Sequence, residues 1–279
     1  MTTGTRAQRR TTDIASLAER ILGMRRPPPS HALLVGVSGI DGSGKGWLGD
    51  RLAAHLQAAG ARVALIHADG WLNLPAVRFS NERPGRHFYD NALRLQELFD
   101  TLVVPLATER SVRVTADYAR ETAAEFESRT WDYDNVDVVL VESIFLFKRE
   151  HRTLFDLAIW VDCTLDTALE RALERRQEDL PADETTRAYE TIYFPAQRIH
   201  LERDNARDRA DVLFVNDPRI SDRSDMPRGL MHSASRAEAP QPRVSGTTWQ
   251  SRDGLARWAV PEAALSRRHW DETSIRLPL

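Results

Sequence analysis

Apolar residues recur along this chain with helical and strand-like patterns in alternation. From Thr12 to Met24, Ile14, Leu17, Ala18, Ile21 and Leu22 stand at helical spacing, with Asp13 at the start to complement the helix dipole, and Pro27-Pro28-Pro29 ends the predicted helix. The short run Ala32-Leu33-Leu34-Val35 predicts a buried strand. Trp47 to Ala59 then repeats Leu48, Leu52, Ala53 and Leu56 on one helix face, and Gly60 is placed to end it. Arg62 to His67 is strand-like and Asn91 to Val104 helical; between them residues 81–90 form a polar, aromatic-bearing loop, either a binding loop or a plain surface connection. Val136 to Val141 is a near-continuous apolar run bounded by charges, the pattern of a strand covered on both faces. Leu157 to Val161 predicts a further strand, and Thr164 to Arg176 a helix with Leu165, Ala168, Leu169, Ala172 and Leu173 inward. Glu184 to Arg203 reads as a helix bent or split at Pro195, and Asp211 to Val215 as a last strand. Strands alternating with helices over this length predict an α/β fold with a doubly wound, mostly parallel sheet and helices on both faces.

The same pattern divides the chain. Residues 1–30 are an amino-terminal extension with one helix, packed on the domain that follows and preceded by a polar stretch, 1–10, that reads as disordered. Residues 31–217 form the main domain. Residues 218–279, rich in Ser, Arg, Pro and Ala, read as largely disordered or loosely packed, with a short helix near 261–267. Trp249, Trp258 and Trp270 in that tail are candidates to dock on the domain or on a second subunit of a homo-oligomer. A net charge of −3 gives no electrostatic case for a nucleic-acid or membrane-surface partner. The single cysteine, Cys163, leaves no internal disulfide and fits a reducing compartment. No apolar run approaches the ~20 residues that span a bilayer, and the amino terminus lacks a signal-peptide core, so a soluble cytoplasmic protein is expected.

Candidate chemistry concentrates after the first long strand, in Gly36-Val37-Ser38-Gly39-Ile40-Asp41-Gly42-Ser43-Gly44-Lys45-Gly46. A strand that ends in glycines and turns at once into a helix leaves backbone N–H groups free at a positive helix end, which suits a polyphosphate. Gly39 to Lys45 fits G-x-x-x-x-G-K, the phosphate-binding loop of the P-loop nucleoside triphosphate hydrolase fold. Gly39, Ile40, Asp41, Gly42, Ser43, Gly44, Lys45 and Gly46 are therefore the candidate ATP-binding residues; the plain alternative is a glycine-rich turn. Composition argues for the former. Only two of the 38 basic residues are lysines, Lys45 and Lys148, and a compact ammonium reaches between β- and γ-phosphates where a guanidinium fits poorly. The Ser or Thr that would hold Mg²⁺ is missing, and Gly46 stands in its place. Open sheets carry their sites at the carboxyl ends of strands, where this chain has Asp69 after the second strand and Glu142 after the third. One carboxylate can deprotonate an attacking hydroxyl and the other can hold Mg²⁺, directly or through water.

The glycine loop, Asp69-Gly70-Trp71, the run from Val138 to Phe147 through Glu142-Ser143, Tyr189-Glu190-Thr191 with Pro195-Ala196, and Ala210-Asp211-Val212 together resemble the uridine kinase and phosphoribulokinase family, over about residues 32–217. The resemblance implies ATP-dependent phosphorylation of a hydroxyl on a small molecule, a nucleoside foremost, with Mg²⁺. It implies that Lys45 and the loop amides hold the phosphates, that Asp69 accepts the proton and can share the metal, and that Glu142 positions Mg²⁺. Arg171, Arg175 and Arg176 are similar to the family's lid arginines, the alternative being a solvated face paired with Glu170, Glu174 and Glu178. Asp69, Tyr89, Asp117, Tyr118 and Arg176 are the candidate acceptor-binding residues. Two departures stand out: Gly46, and the segment 112–120, which keeps Asp117 beside Tyr118 but lacks the His used by the family for base recognition. An ATP-binding regulator without turnover and a nucleoside triphosphate hydrolase remain as alternatives.

Overall fold

The structure, a computed structural model, describes residues 10–25, 30–175 and 181–221. The first elements in chain order are β1 (Arg10–Thr11), α1 (Ile14–Met24), β2 (Leu33–Gly39), α2 (Lys45–Ala58) and β3 (Val63–His67). Short helices α3 (Pro75–Arg78) and α4 (Pro84–Asn91) follow, then α5 (Leu95–Leu98) and α6 (Val104–Glu109). Next come β4 (Val112–Tyr118), β5 (Glu127–Tyr133), β6 (Val138–Ser143), β7 (Leu157–Asp162) and α7 (Leu165–Arg175). The last are α8 (Ala182–Ala188), α9 (Phe194–Arg203), β8 (Val212–Val215) and α10 (Pro218–Ser221).

Six strands form one parallel sheet in the order β1-β8-β7-β2-β6-β3. Side chains alternate across it, so each face builds its own core. On one face Leu33, Val35, Val37, Val138, Leu140, Ile159 and Val161 pack with Leu17 and Ile21 of α1 and with Leu48, Leu52 and Leu56 of α2. On the other, Leu34, Ile66, Val139, Val141 and Trp160 pack with Leu98, Phe99, Leu102 and Leu106. Burying each such Leu, Ile or Val side chain stabilises the fold by about 1.5–3 kcal/mol, and this explains why these strands read as unbroken apolar runs.

The amino-terminal helix starts where Asp13 caps it: its Oδ1 accepts from the N–H groups of Ala15 at 2.9 Å and Ser16 at 3.3 Å. Gly60, with φ of +82°, turns the chain out of α2. The helix expected over Glu184 to Arg203 is split as Pro195 requires. A wide turn, Tyr189–Tyr193, separates α8 from α9, and a matching one, Phe99–Val103, precedes Pro105. In both, the proline's missing N–H and its clash with the carbonyl four residues back are absorbed by the extra residue in the turn.

Three expectations change. Residues 84–90, read as loop, belong to α4, where Pro84 occupies the first turn and Gly85, Phe88 and Tyr89 face inward; the polar residues between them hide the period. Arg10, in the stretch expected to be disordered, pairs with Leu213 as part of β1, while residues 1–9 lie outside the described residues. The antiparallel pair β4-β5 has no counterpart among the predicted strands; Val112, Val114 and Ala116 face the core and alternate with exposed Arg113, Thr115 and Asp117. The predicted helix near 261–267 and the tail tryptophans lie outside the described residues.

Candidate functional site

The loop between β2 and α2 owes its shape to glycine. Gly42 and Gly44 have φ of +77° and +88°, a region that side-chain-bearing residues enter at a cost. The loop is also held from behind. Arg171 Nη1 donates to the carbonyls of Gly42 (3.3 Å) and Ser43 (3.2 Å), its Nη2 donates to Asn216 O at 3.0 Å, and Asn216 Nδ2 donates to Ser43 O at 2.7 Å. With those carbonyls engaged at the back, the first-turn N–H groups of α2, which have no partner within the helix, are left to the front. The Ser43 hydroxyl is buried without a hydrogen-bond partner among the described residues.

Three charged groups converge in front of this loop. Lys45 Nζ lies 3.9 Å from Asp41 Oδ1. Burial alone would lower the Lys45 pKa, but the carboxylates of Glu142, Asp41 and Asp69 outweigh it and hold the ammonium above its ordinary value. Asp69 sits in the turn Ala68–Gly70 directly after β3. Its side chain is exposed to solvent although protein atoms surround it closely. That partial desolvation, with the charges of Glu142 and Asp41, raises its pKa against the pull of Lys45. Asp41 is the opposite case: loss of water would raise it, but Lys45 and a hydrogen bond from the Tyr189 hydroxyl hold it low.

Glu142, 3 % exposed, is the next-to-last residue of β6. Its Oε1 lies 3.2 Å from His67 Nδ1, and its Oε2 is buried without a hydrogen-bond partner among the described residues. The hydrogen bond to Glu142 raises the His67 pKa, outweighing the ring's partial burial. A Cβ placed on Gly46 would stand 3.7 Å from Glu142 Oε1, an ordinary contact distance. Among the described residues no three His, Cys, Asp or Glu side chains are grouped to hold a metal ion by themselves. Oε1 is the oxygen that faces Gly46; the orphaned Oε2 is nonetheless an oxygen donor of the kind Mg²⁺ takes, and one protein carboxylate completed by phosphate oxygens and water is how that ion is commonly bound.

The other sequence candidates fall into different places. Tyr118 lies against the turn that carries Asp69: a Cβ on Gly70 would meet its ring, and Ala119 N donates to Gly70 O at 3.1 Å. Asp117 is exposed, and its carbonyl accepts from Arg94 Nη2 at 2.6 Å. Tyr89, a candidate acceptor-binding residue, lies in the core: it is 3 % exposed, its hydroxyl donates to Asp204 Oδ2 at 2.5 Å, and its ring meets Phe145 edge-on. Arg171, read as a lid cation, spends its guanidinium on the loop carbonyls and Asn216. Arg175 is exposed one turn further on, and its charge reaches Asp41 and Lys45. Arg176 lies outside the described residues. Asn216 and His67 were not among the candidates. Asn216 directly follows β8 and His67 ends β3, so strand-end position was their available signal.

No family model matches the chain, and no curated protein does. Solved structures do. A Bacillus stearothermophilus protein provisionally described as a uridine kinase superposes with a TM-score of 0.58 at 24 % identity, covering 72 % of this chain and 96 % of its own. A Silicibacter protein provisionally described as a fructose transport system kinase gives 0.61 at 21 % identity, covering 73 % and 99 %. The YFH7 protein of Saccharomyces cerevisiae, provisionally described as a P-loop kinase with a circular permutation, gives 0.53 at 10 % identity, covering 74 % and 99 %. At these identities the likeness establishes the α/β P-loop fold, and the chemistry rests on the residues.

Proposed function

We propose that this chain, built on the P-loop fold, transfers the γ-phosphoryl group of ATP to a hydroxyl of a small molecule. The observation that carries the reading is the meeting of Lys45, Asp69 and Glu142 at the carboxyl ends of the neighbouring strands β2, β6 and β3, close enough that each alters the proton affinity of another. The amides at the start of α2 and the Lys45 ammonium bind the β- and γ-phosphates. Asp69, with its raised pKa, is suited to take the proton of the attacking hydroxyl. Glu142 Oε2 is the protein oxygen for Mg²⁺, which when bound neutralises charge on the phosphates. Tyr118, seated on Gly70, forms the wall next to the acceptor. A nucleoside acceptor is the finer reading, supported by the resemblance of the motif set to uridine kinases and by the provisional description of one structural neighbour.

The test is ADP formation with Mg-ATP across a panel of nucleosides, sugars and hydroxy acids, with Asp69→Asn and Lys45→Ala beside the native chain. Turnover with one acceptor class, lost by about 10²-fold or more in Asp69→Asn, is expected for a general base. Lys45→Ala weakens ATP binding. ATP binding without turnover on any acceptor overturns the kinase reading in favour of a regulator, and phosphate release without an acceptor makes the chain a hydrolase.

A further inference from the structure

We propose that His67 is a positioning residue, braced by Asp50, that fixes the Glu142 carboxylate beside the bare helix face left by Gly46 through Oε1, so that Oε2 is free to supply the metal with an oxygen that the loop, lacking its hydroxyl, does not. The inference rests on the kinase reading's assignment of Mg²⁺ to Glu142, and goes beyond it in naming what makes that assignment workable.

His67 and Glu142 are direct neighbours in the pairing of β3 with β6. Both point to the face of the sheet that α2 covers, as do Val63 and Leu65 before the one and Val138 and Leu140 before the other. Where α2 passes Glu142 it presents glycines: a Cβ at Gly46 would stand 3.7 Å from Glu142 Oε1, and a Cβ at Gly49 3.7 Å from Glu142 Cγ. Glu142 therefore lies along glycine backbone in the first turn and a half of α2, with room beside it that a methyl group would fill at ordinary contact distance. A long carboxylate in such a space has rotamer freedom to lose, and a single rigid ring removes it. His67 Nδ1 faces Glu142 Oε1 at 3.2 Å while Nε2 faces Asp50 Oδ1 of α2 at 3.6 Å, so the imidazole spans the gap between helix and strand end.

The division of labour follows from the two carboxylate oxygens. Oε1 has the histidine; Oε2 is buried and has no hydrogen-bond partner among the described residues. A buried carboxylate oxygen left without a donor is costly unless a ligand completes it. A carboxylate fixed through one oxygen by a hydrogen-bonded ring, with the other free for a cation, is how outer partners orient metal ligands, and removing such a partner costs about 10–100-fold in metal affinity.

The experiment measures Mn²⁺, as a paramagnetic probe, binding to the full chain with a non-hydrolysable ATP analogue, by electron paramagnetic resonance. Analogue affinity without metal is measured in parallel by calorimetry. His67→Ala is expected to weaken Mn²⁺ by about 10-fold or more and to leave metal-free nucleotide affinity unchanged. His67→Asn, whose amide N–H can stand where Nδ1 stands, is expected to restore most of the loss. In a Gly46→Ser background, where a loop hydroxyl is available again, His67→Ala is expected to cost less than in the native chain. Unchanged Mn²⁺ affinity in His67→Ala, an equal loss of metal-free nucleotide affinity, no recovery in His67→Asn, or equal losses in both backgrounds would each overturn the proposal. Failure of the kinase reading shows separately, as absence of ADP formation with every acceptor while Mn²⁺ and nucleotide still bind together.

Discussion

At the scale of single residues, the substitution that matters most is Gly46. A phosphate-binding loop ordinarily ends in a hydroxyl that faces the metal; here the space is empty, and a Cβ fits it at ordinary contact distance from Glu142. Gly46→Ser is therefore expected to fold normally and to lower the Mg²⁺ concentration that half-saturates turnover by several-fold, since it adds an oxygen ligand without displacing one. Kinetics at fixed ATP with varied Mg²⁺ check this; an unchanged Mg²⁺ dependence would mean that Glu142 alone completes the shell. Lys45 and Asp69 were both legible from sequence, because a lysine in an arginine-rich chain and an Asp at a strand end are local signals. His67 was not, because a lone histidine at a strand end says nothing until its neighbour in the sheet is known.

At the scale of elements, α7 decides how the loop is held. It begins under a cap built by Asp217, which accepts from Thr164 N at 2.7 Å and Thr164 Oγ1 at 2.6 Å, and its Arg171 reaches across to Gly42, Ser43 and Asn216. Arg171→Ala strips the loop carbonyls of charged donors, which costs about 1–3 kcal/mol for groups this enclosed, and lets the loop relax. ATP is expected to bind several-fold more weakly, with a matching loss of stability in urea. A loss confined to kcat, with ATP affinity and stability intact, would instead mean that Arg171 leaves the loop and acts on the transferring group. Lysine at this position offers one point charge where the guanidinium spans three carbonyls, so Arg171→Lys is expected to recover only part of the loss. The α4 helix teaches the reverse lesson: its Tyr89 looked like a loop aromatic facing a ligand, and packing turned it into the partner of Asp204.

At the scale of the whole molecule, stability depends on buried titratable groups as well as on the two cores. His200 is fully buried among Tyr89, Phe145 and Trp160, with Nδ1 2.7 Å from Asp204. Burial lowers its pKa, and the bond to Asp204 does not reverse this. The unfolded chain takes up a proton near pH 6.5 and the folded one does not, so the unfolded state binds more protons and stability falls as pH drops through that value. His151, lowered by burial, acts in the same direction, while His67, raised by Glu142, opposes it. The contribution of His200 is isolated by comparing thermal midpoints from pH 7.5 to 5.5 with those of His200→Gln, which is expected to show a shallower decline. Parallel slopes would show that His200 is protonated in the folded state. Among the described residues no helix is long and apolar enough to cross a membrane.

The sequence by itself determined five of the six strands of the parallel sheet, the glycine loop with Lys45, and the two carboxylates at strand ends, because each is written in a contiguous stretch whose backbone path follows from local pattern. Only the tertiary structure decided which side chains serve which role. His67 and Glu142 are 75 residues apart, Tyr89 and Asp204 115, and Arg171 and Ser43 128. An arginine, a tyrosine and a histidine carry no mark of whether they will face a ligand or a neighbour; the partner that chain packing brings within hydrogen-bond reach settles it. The empty place at Gly46 was visible from the start, but the carboxylate lying beside it appears only once β3, β6 and α2 are packed together.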